Sequence, residues 1–166
     1  YSKVLPGEPC VNFDYLLEGL VDCLPQSSVR HISQVLWACG RVSIYNTNES
    51  AIVTYVKILI KELSGRISEV TVIDVVQSIW AASKVGVRPD DCSELRIIIA
   101  HAGLVSDCMS TREICTVVGS LARMRAREYD VIKRLTSRFK KACVPIPSPD
   151  EATSLIFSLG RLNMRD

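Results

Sequence analysis

Leu36-Trp37-Ala38-Cys39-Gly40-Arg41-Val42 is followed 43 residues later by Ile79-Trp80-Ala81-Ala82-Ser83-Lys84-Val85, and the two stretches agree column by column. The order is apolar, aromatic, small, core, small, basic, apolar. Two further copies follow at the same register, Val118-Gly119-Ser120-Leu121-Ala122-Arg123-Met124 and Ile156-Phe157-Ser158-Leu159-Gly160-Arg161-Leu162. Working outward, each copy opens on a hydroxyl residue suited to cap a helix N-terminus: Ser28, Thr71, Ser110 and Ser148, at spacings of 43, 39 and 38 residues. An acid stands three residues on in three of the four copies (Asp74, Glu113, Glu151), as a capping box requires, while the first copy has His31 there. Pro149 sits at the first helical position, where its missing amide costs nothing.

Between cap and motif the apolar positions fall at i, i+3, i+4 and i+7, the period of one helix face. They read Ile32, Val35, Leu36, Cys39, then Val75, Ser78, Ile79, Ala82, then Ile114, Val117, Val118, Leu121, and last Ala152, Leu155, Ile156, Leu159. A second amphipathic helix is predicted after each motif: roughly Asn48 to Leu63, Asp90/Asp91 to Gly103, and Glu128 to Ala142. Asp90 and Asp91 are expected to cap the second of these. Asn12 to Leu24 reads as the second helix of a preceding copy, stopped by Pro25. Helix pairs repeating every 40 residues or so stack into a right-handed α-solenoid. Its expected units are a preceding helix and linker at 1–27, repeats at 28–70, 71–109 and 110–147, and the first helix of a truncated repeat at 148–166. The ends of the sequence suggest a piece of a longer protein.

Composition agrees with a folded chain and narrows its chemistry. Of 166 residues 48% are hydrophobic and 23% charged, which excludes a disordered chain. The net charge of +2 excludes a basic arm or acidic tail as a bulk feature. Seven cysteines without a C-x-x-C pair argue against a disulfide framework or a zinc site, and for a reducing compartment. The parts of an enzyme are not legible. The two histidines, His31 and His101, occupy non-equivalent repeat positions, and no nucleophile elbow, phosphate-cradling glycine loop or metal-spaced ligand set is present. Catalytic residues, metal, cofactor, small-molecule substrate and membrane association are therefore not expected.

The motif columns resemble the organellar octotricopeptide/heptatricopeptide repeat of RAP-domain and FAST-kinase-like proteins, whose hallmark is an apolar-W-[AS]-x-[AGS]-[RK]-[LVM] stretch closed by a short Arg-Asp turn. The copy ending Arg161-Leu162-Asn163-Met164-Arg165-Asp166 fits best, and the third departs at Gly119. The resemblance spans nearly the whole chain. It implies a protein of the mitochondrial matrix, or of a plastid, that binds RNA and supports transcript maturation or translation. Some such proteins are ribosome subunits. No RAP-domain pattern is legible here. A protein–protein scaffold in a large complex is the alternative.

Helical geometry selects the residues such a function would use. At about 100° per residue from Ile32, Gln34 lies near 200°, Arg41 near 180° and Trp37 near 140°. The exposed stripe is thus Gln34/Arg41, Gln77/Lys84, Thr116/Arg123 and Ser154/Arg161. The polar members (Gln34, Gln77, Thr116, Ser154) are candidates to read base edges, and the cations (Arg41, Lys84, Arg123, Arg161) to neutralise phosphates. A cation late in a helix also complements the macrodipole without any ligand. Trp37, Trp80 and Phe157 are expected to fill the groove between repeats, with base stacking as the alternative. Gly119 would then leave a gap for Met124, or for a bend, to close. Residues 112–141 carry nine basic side chains against three acidic ones, and Lys133, Arg134, Arg138, Lys140 and Lys141 crowd one helix as a second candidate phosphate contact.

Overall fold

A computed structural model describes residues 13–43, 49–141 and 148–163. The readings that fall on Asn12, Asn48, Ala142, the Pro145–Pro149 linker up to residue 147 and the Met164-Arg165-Asp166 turn lie outside these, as does the side chain of Lys141. Eight helices follow one another: α1 Phe13–Cys23, α2 Val29–Val42, α3 Glu49–Gly65, α4 Val72–Val85, α5 Ser93–Leu104, α6 Thr111–Met124, α7 Tyr129–Lys141 and α8 Pro149–Arg161. Among the described residues there is no strand. The even-numbered helices pack in the series α2–α4–α6–α8, the odd ones in the series α1–α3–α5–α7, and each series lies against the other.

Within the even series, contacts join equal levels. Near the helix starts, Ser33 of α2 meets Asp74 of α4, and Thr111 of α6 meets Glu151 of α8. Near the ends, Gly40 meets Ala81, Ser83 meets Arg123, and Gly119 meets Ser158. The four helices therefore run in one direction, with their C-terminal ends along one edge.

The caps form as the sequence requires. Ser28, Ser110 and Ser148 accept the amides of His31, Glu113 and Glu151, and Glu113 and Glu151 accept the amides of Ser110 and Ser148 in return. His31 thus takes part in a cap through its backbone. A one-turn 3-10 segment precedes three of the caps, at Leu24–Gln26, Ile67–Glu69 and Ser106–Cys108, and turns the chain from one series into the other. Pro25 lies within the first of these. At the residue before the cap, Val70 and Met109 are buried and anchor the entry of α4 and α6.

Asp74 exceeds its role in the cap. It is 1% exposed and accepts the Thr71 amide at 3.1 Å, the Thr71 hydroxyl at 2.6 Å, the Ser33 hydroxyl at 2.6 Å and the Arg30 guanidinium at 3.2 Å. Burial by itself raises its pKa. The hydrogen bonds from Ser33, Thr71 and Arg30 outweigh that and hold the carboxyl below its ordinary value.

The apolar stripes of α2, α4 and α6 are buried, with Val35 only partly so. The stripe of α8 departs from expectation, since Ile156 is 71% exposed. Its equivalents Leu36, Ile79 and Val118 are covered by the odd-series helix that follows in each copy, whereas α8 packs on α6 and has no following helix among the described residues. Asp90 and Asp91 also depart from expectation. The residue before α5 is Cys92, and Asp90 instead accepts the Arg96 guanidinium at 2.6 Å.

The small columns set how closely α2 and α4 approach. A Cβ built on Gly40 would lie 2.8 Å from Trp80 Cζ3 and 3.0 Å from the Cα of Ala81. A Cβ built on Gly160, in the same column, would meet nothing within 4 Å among the described residues. Gly40→Ala should therefore destabilise by about 1–3 kcal/mol through overpacking, despite its better helix propensity. Gly160→Ala should stabilise by up to about 1 kcal/mol. Thermal denaturation of the pair gives opposite signs if the close approach is real.

Asp74→Ala should cost about 2–3 kcal/mol, because charge-assisted bonds from two elements are lost together. The unfolded carboxyl binds its proton more readily than the folded one. The stabilisation is therefore complete above about pH 4 and is lost as pH falls through the lower folded value. Urea titrations between pH 7 and 2 should show Asp74→Asn with a flatter acid limb than the wild type.

Candidate nucleic-acid interface

The aromatic column comes to the surface. Trp37 is 45% and Phe157 67% exposed, while Trp80 is partly buried, so only Trp80 follows the expectation that these rings fill the groove. The reason lies in the small column beside them. Trp80 lies over Gly40, where α2 offers no side chain, and its ring stacks on that of Trp37 with centroids 6.3 Å apart and planes 27° from parallel.

Each ring carries the cation four residues on, one turn further along its own helix. The Arg41 guanidinium stands 5.7 Å from the Trp37 centroid, the Lys84 ammonium 5.6 Å from that of Trp80, and the Arg161 guanidinium 6.0 Å from that of Phe157. The basic and aromatic columns thus form one ladder of ring-and-cation pairs along the C-terminal edge of the even series.

The third rung is built differently. Gly119 supplies no ring, and Arg123 reaches back to donate to Ser83 Oγ at 2.8 Å. Trp80 crosses over Gly40, and the same crossing from α6 to α4 leads to Ser83. The guanidinium therefore takes the place expected for Met124, which is buried at 4% exposure. Ser83 can accept this bond because its own proton goes to Trp80 O at 2.7 Å.

Positive charge concentrates along this edge. The Lys84 ammonium has a pKa below the ordinary lysine value, first through burial and then through Arg123 and Arg41 on either side. Among the described residues none of Arg41, Lys84, Arg123 and Arg161 belongs to an ion pair. Carboxylates gather instead at the opposite end of the same helices, where Asp74, Glu113 and Glu151 serve the caps.

The candidate base readers lie on the expected face in less uniform states. Gln34 and Ser154 are exposed, and Gln77 and Thr116 are half-buried. Gln77 accepts a long 3.4 Å bond from Arg30, and Thr116 gives its proton to Arg112 O in its own helix at 2.9 Å.

The α7 cluster belongs to the other series of helices and does not join the ladder. Lys133, Arg134 and Arg138 line a groove of about 370 Å³ with Ser106, Asp107 and Ser137. Arg138 Nε is buried without a hydrogen-bond partner among the described residues. Lys140 is exposed on the same helix.

Two arginines escaped the sequence reading as individual site residues. Arg125 and Arg127 follow α6 and line a cavity of about 330 Å³ with Arg161. Their signal was the excess of positive charge at 112–141, which did not say where the side chains converge.

Other chemistry is sparse. Burial pushes the Cys39 thiol up to about 12 and that of Cys115 up to about 11, with Glu151 adding to the second, so neither is a nucleophile near neutral pH. His101 meets Val70 O through Nε2 at 3.3 Å. No group of three His, Cys, Asp or Glu side chains among the described residues is placed to hold a metal, and no described helix is long and apolar enough to cross a membrane. Comparison with protein-family models finds no match, and comparison with curated proteins finds none.

Because Lys84 is partly buried and lies near two guanidiniums, its charge opposes folding. Lys84→Met keeps the stem and removes the charge, so it should raise the melting temperature at low ionic strength. The gain should shrink as salt screens Arg41 and Arg123. Burial and the same repulsion predict that wild-type stability rises with pH as Lys84 deprotonates more readily in the folded state than in the unfolded one.

Proposed function

We propose that this chain is a right-handed α-solenoid of the octotricopeptide/heptatricopeptide type and binds single-stranded RNA along the ladder. The observation that carries the reading is the pairing of ring and cation at Trp37/Arg41, Trp80/Lys84 and Phe157/Arg161. The exposed rings of Trp37 and Phe157 offer stacking surfaces worth about 1–3 kcal/mol per base. Cations one turn away meet phosphates, and an RNA backbone relieves the mutual repulsion of Arg41, Lys84 and Arg123. Gln34, Gln77, Thr116 and Ser154 stand one or two turns further up the same helices, within the reach of a base edge. The α7 groove lined by Lys133, Arg134 and Arg138, with Lys140 and Lys141 following in the sequence, supplies a second phosphate contact on the other series, suited to structured RNA such as rRNA.

The work is positioning rather than catalysis. In this reading the protein acts in the mitochondrial matrix, or in a plastid, on organellar RNA metabolism or translation. It does so as a free transcript factor or as a subunit of the mitochondrial ribosome. A scaffold in a large complex is the competing reading, and the same experiment separates them.

Trp37 and Trp80 are the only tryptophans in the chain, so intrinsic fluorescence reports on the ladder directly. Single-stranded RNA should quench it, with affinity falling steeply as salt rises. Changing Arg41, Lys84, Arg123 and Arg161 to Ala should abolish the quenching and flatten the salt slope by several counterions. Charge removal at Lys133, Arg134, Arg138, Lys140 and Lys141 should instead weaken structured RNA. RNA binding that leaves the tryptophans unquenched would move the interface off the ladder, and no binding at low salt would leave the scaffold.

A further inference from the structure

Arg125 is in the left-handed region, at φ 57° and ψ 30°, and the turn after α6 requires it. Its amide bonds back to Ala122 O and Leu121 O, and the next amide, of Ala126, returns to Leu121 O at 2.9 Å. This is the closure that leaves one residue left-handed after a helix. The same column holds Gly86 at φ 86° after α4 and Asn163 at φ 56° after α8. Glycine and asparagine are the residues that occupy this conformation with least strain, whereas an arginine is strained there. Strain that persists at one copy of a repeat points to what its side chain does.

That side chain lines the cavity of about 330 Å³ between the end of α6 and the end of α8, with Arg127, Arg161, Ala122 and Leu162. Among the described residues none of the three guanidiniums belongs to an ion pair. Glu128, the adjacent acid in sequence, is held by Arg96 at 3.3 Å. Arg161 also stands over the Phe157 ring, so the cavity opens beside the last rung of the ladder.

We propose that Arg125, Arg127 and Arg161 seat the terminal phosphomonoester of a single-stranded RNA whose end base stacks on Phe157. A diester within a strand carries one negative charge, whereas a monoester carries close to two at neutral pH. Three arginines lining one open pocket match the dianion in charge, and a guanidinium fork suits a phosphate in donor geometry. This seat rests on the RNA reading and adds to it a recognised strand end.

The test uses one single-stranded oligoribonucleotide in three forms: 5′-phosphate, 3′-phosphate and hydroxyl at both ends. One phosphorylated form should bind the wild type at least about tenfold tighter than the hydroxyl form, and which one does gives the polarity of the strand. Arg125→Gly and Arg127→Gln should each abolish that preference and leave the affinity for the hydroxyl form unchanged. Arg125→Gly should also melt at a higher temperature, so misfolding cannot explain its loss. Equal binding of all three forms by the wild type would overturn the seat while leaving RNA binding intact. If no oligonucleotide binds, the RNA reading falls, and uridine 5′-monophosphate against uridine decides the seat alone by NMR. Shifts of the arginine Nε–H signals with the nucleotide only would sustain it, and no difference between the two would end it.

Discussion

Where α2 meets α4, the C-terminal edge is shaped by the absence of one side chain. Gly40 lets the backbone of α4 come within van der Waals contact of α2, and the Trp80 ring occupies the space that a Cβ would need. Once that ring lies across α2 it stacks on Trp37. Neither indole can then retreat into the interior, because the space between the helices is already closed by Ala81 and Ala82, both fully buried. Trp37 is left exposed and Trp80 partly buried, and the basic residue one turn later stands beside each ring. Close packing at one glycine thus brings the Trp37 and Trp80 rings together, and the i to i+4 spacing sets a cation beside each.

The buried hydroxyls of the even helices are satisfied locally. Ser78, Ser83, Ser120 and Ser158 each give their proton to a carbonyl three or four residues back in their own helix. Such bonds let a small hydroxyl stand in for alanine at a helix contact at little cost. Asp74 is the exception, since it draws donors from α2 as well as from its own cap. Its four donors compensate a burial that would otherwise neutralise it.

Much of the fold was legible because local rules and tertiary packing agree in α2, α4 and α6. Hydroxyl, acid at the third position, apolar period and terminal cation all point the same way there. The helix order and most of the buried stripes follow from that alone. Ile156 was misread because periodicity tells which face is apolar, not whether another helix covers it. Asp90 was misread because a nearby Arg96 competes for the carboxylate, and that partner is six residues away with a turn between. The exposed aromatics needed knowledge of how close α4 comes to α2, which a column of small residues suggests but does not measure. Arg123 needed the same knowledge, since its partner Ser83 is 40 residues distant. Arg125 was invisible for another reason. No side-chain pattern marks a left-handed residue unless it is glycine or asparagine.

The locks between successive even helices differ from one another. At the start of α4 a buried aspartate gathers Arg30 and Ser33. Between α4 and α6 an arginine crosses to a serine. Between α6 and α8 the Thr111 hydroxyl meets Glu151, and the Cys115 thiol meets the carbonyl of the same residue at 3.3 Å. The copies share a template yet no longer share a joint. A repeat lifted from one place and grafted into another would arrive with half of a lock and no matching half. The order of these repeats is therefore part of the structure.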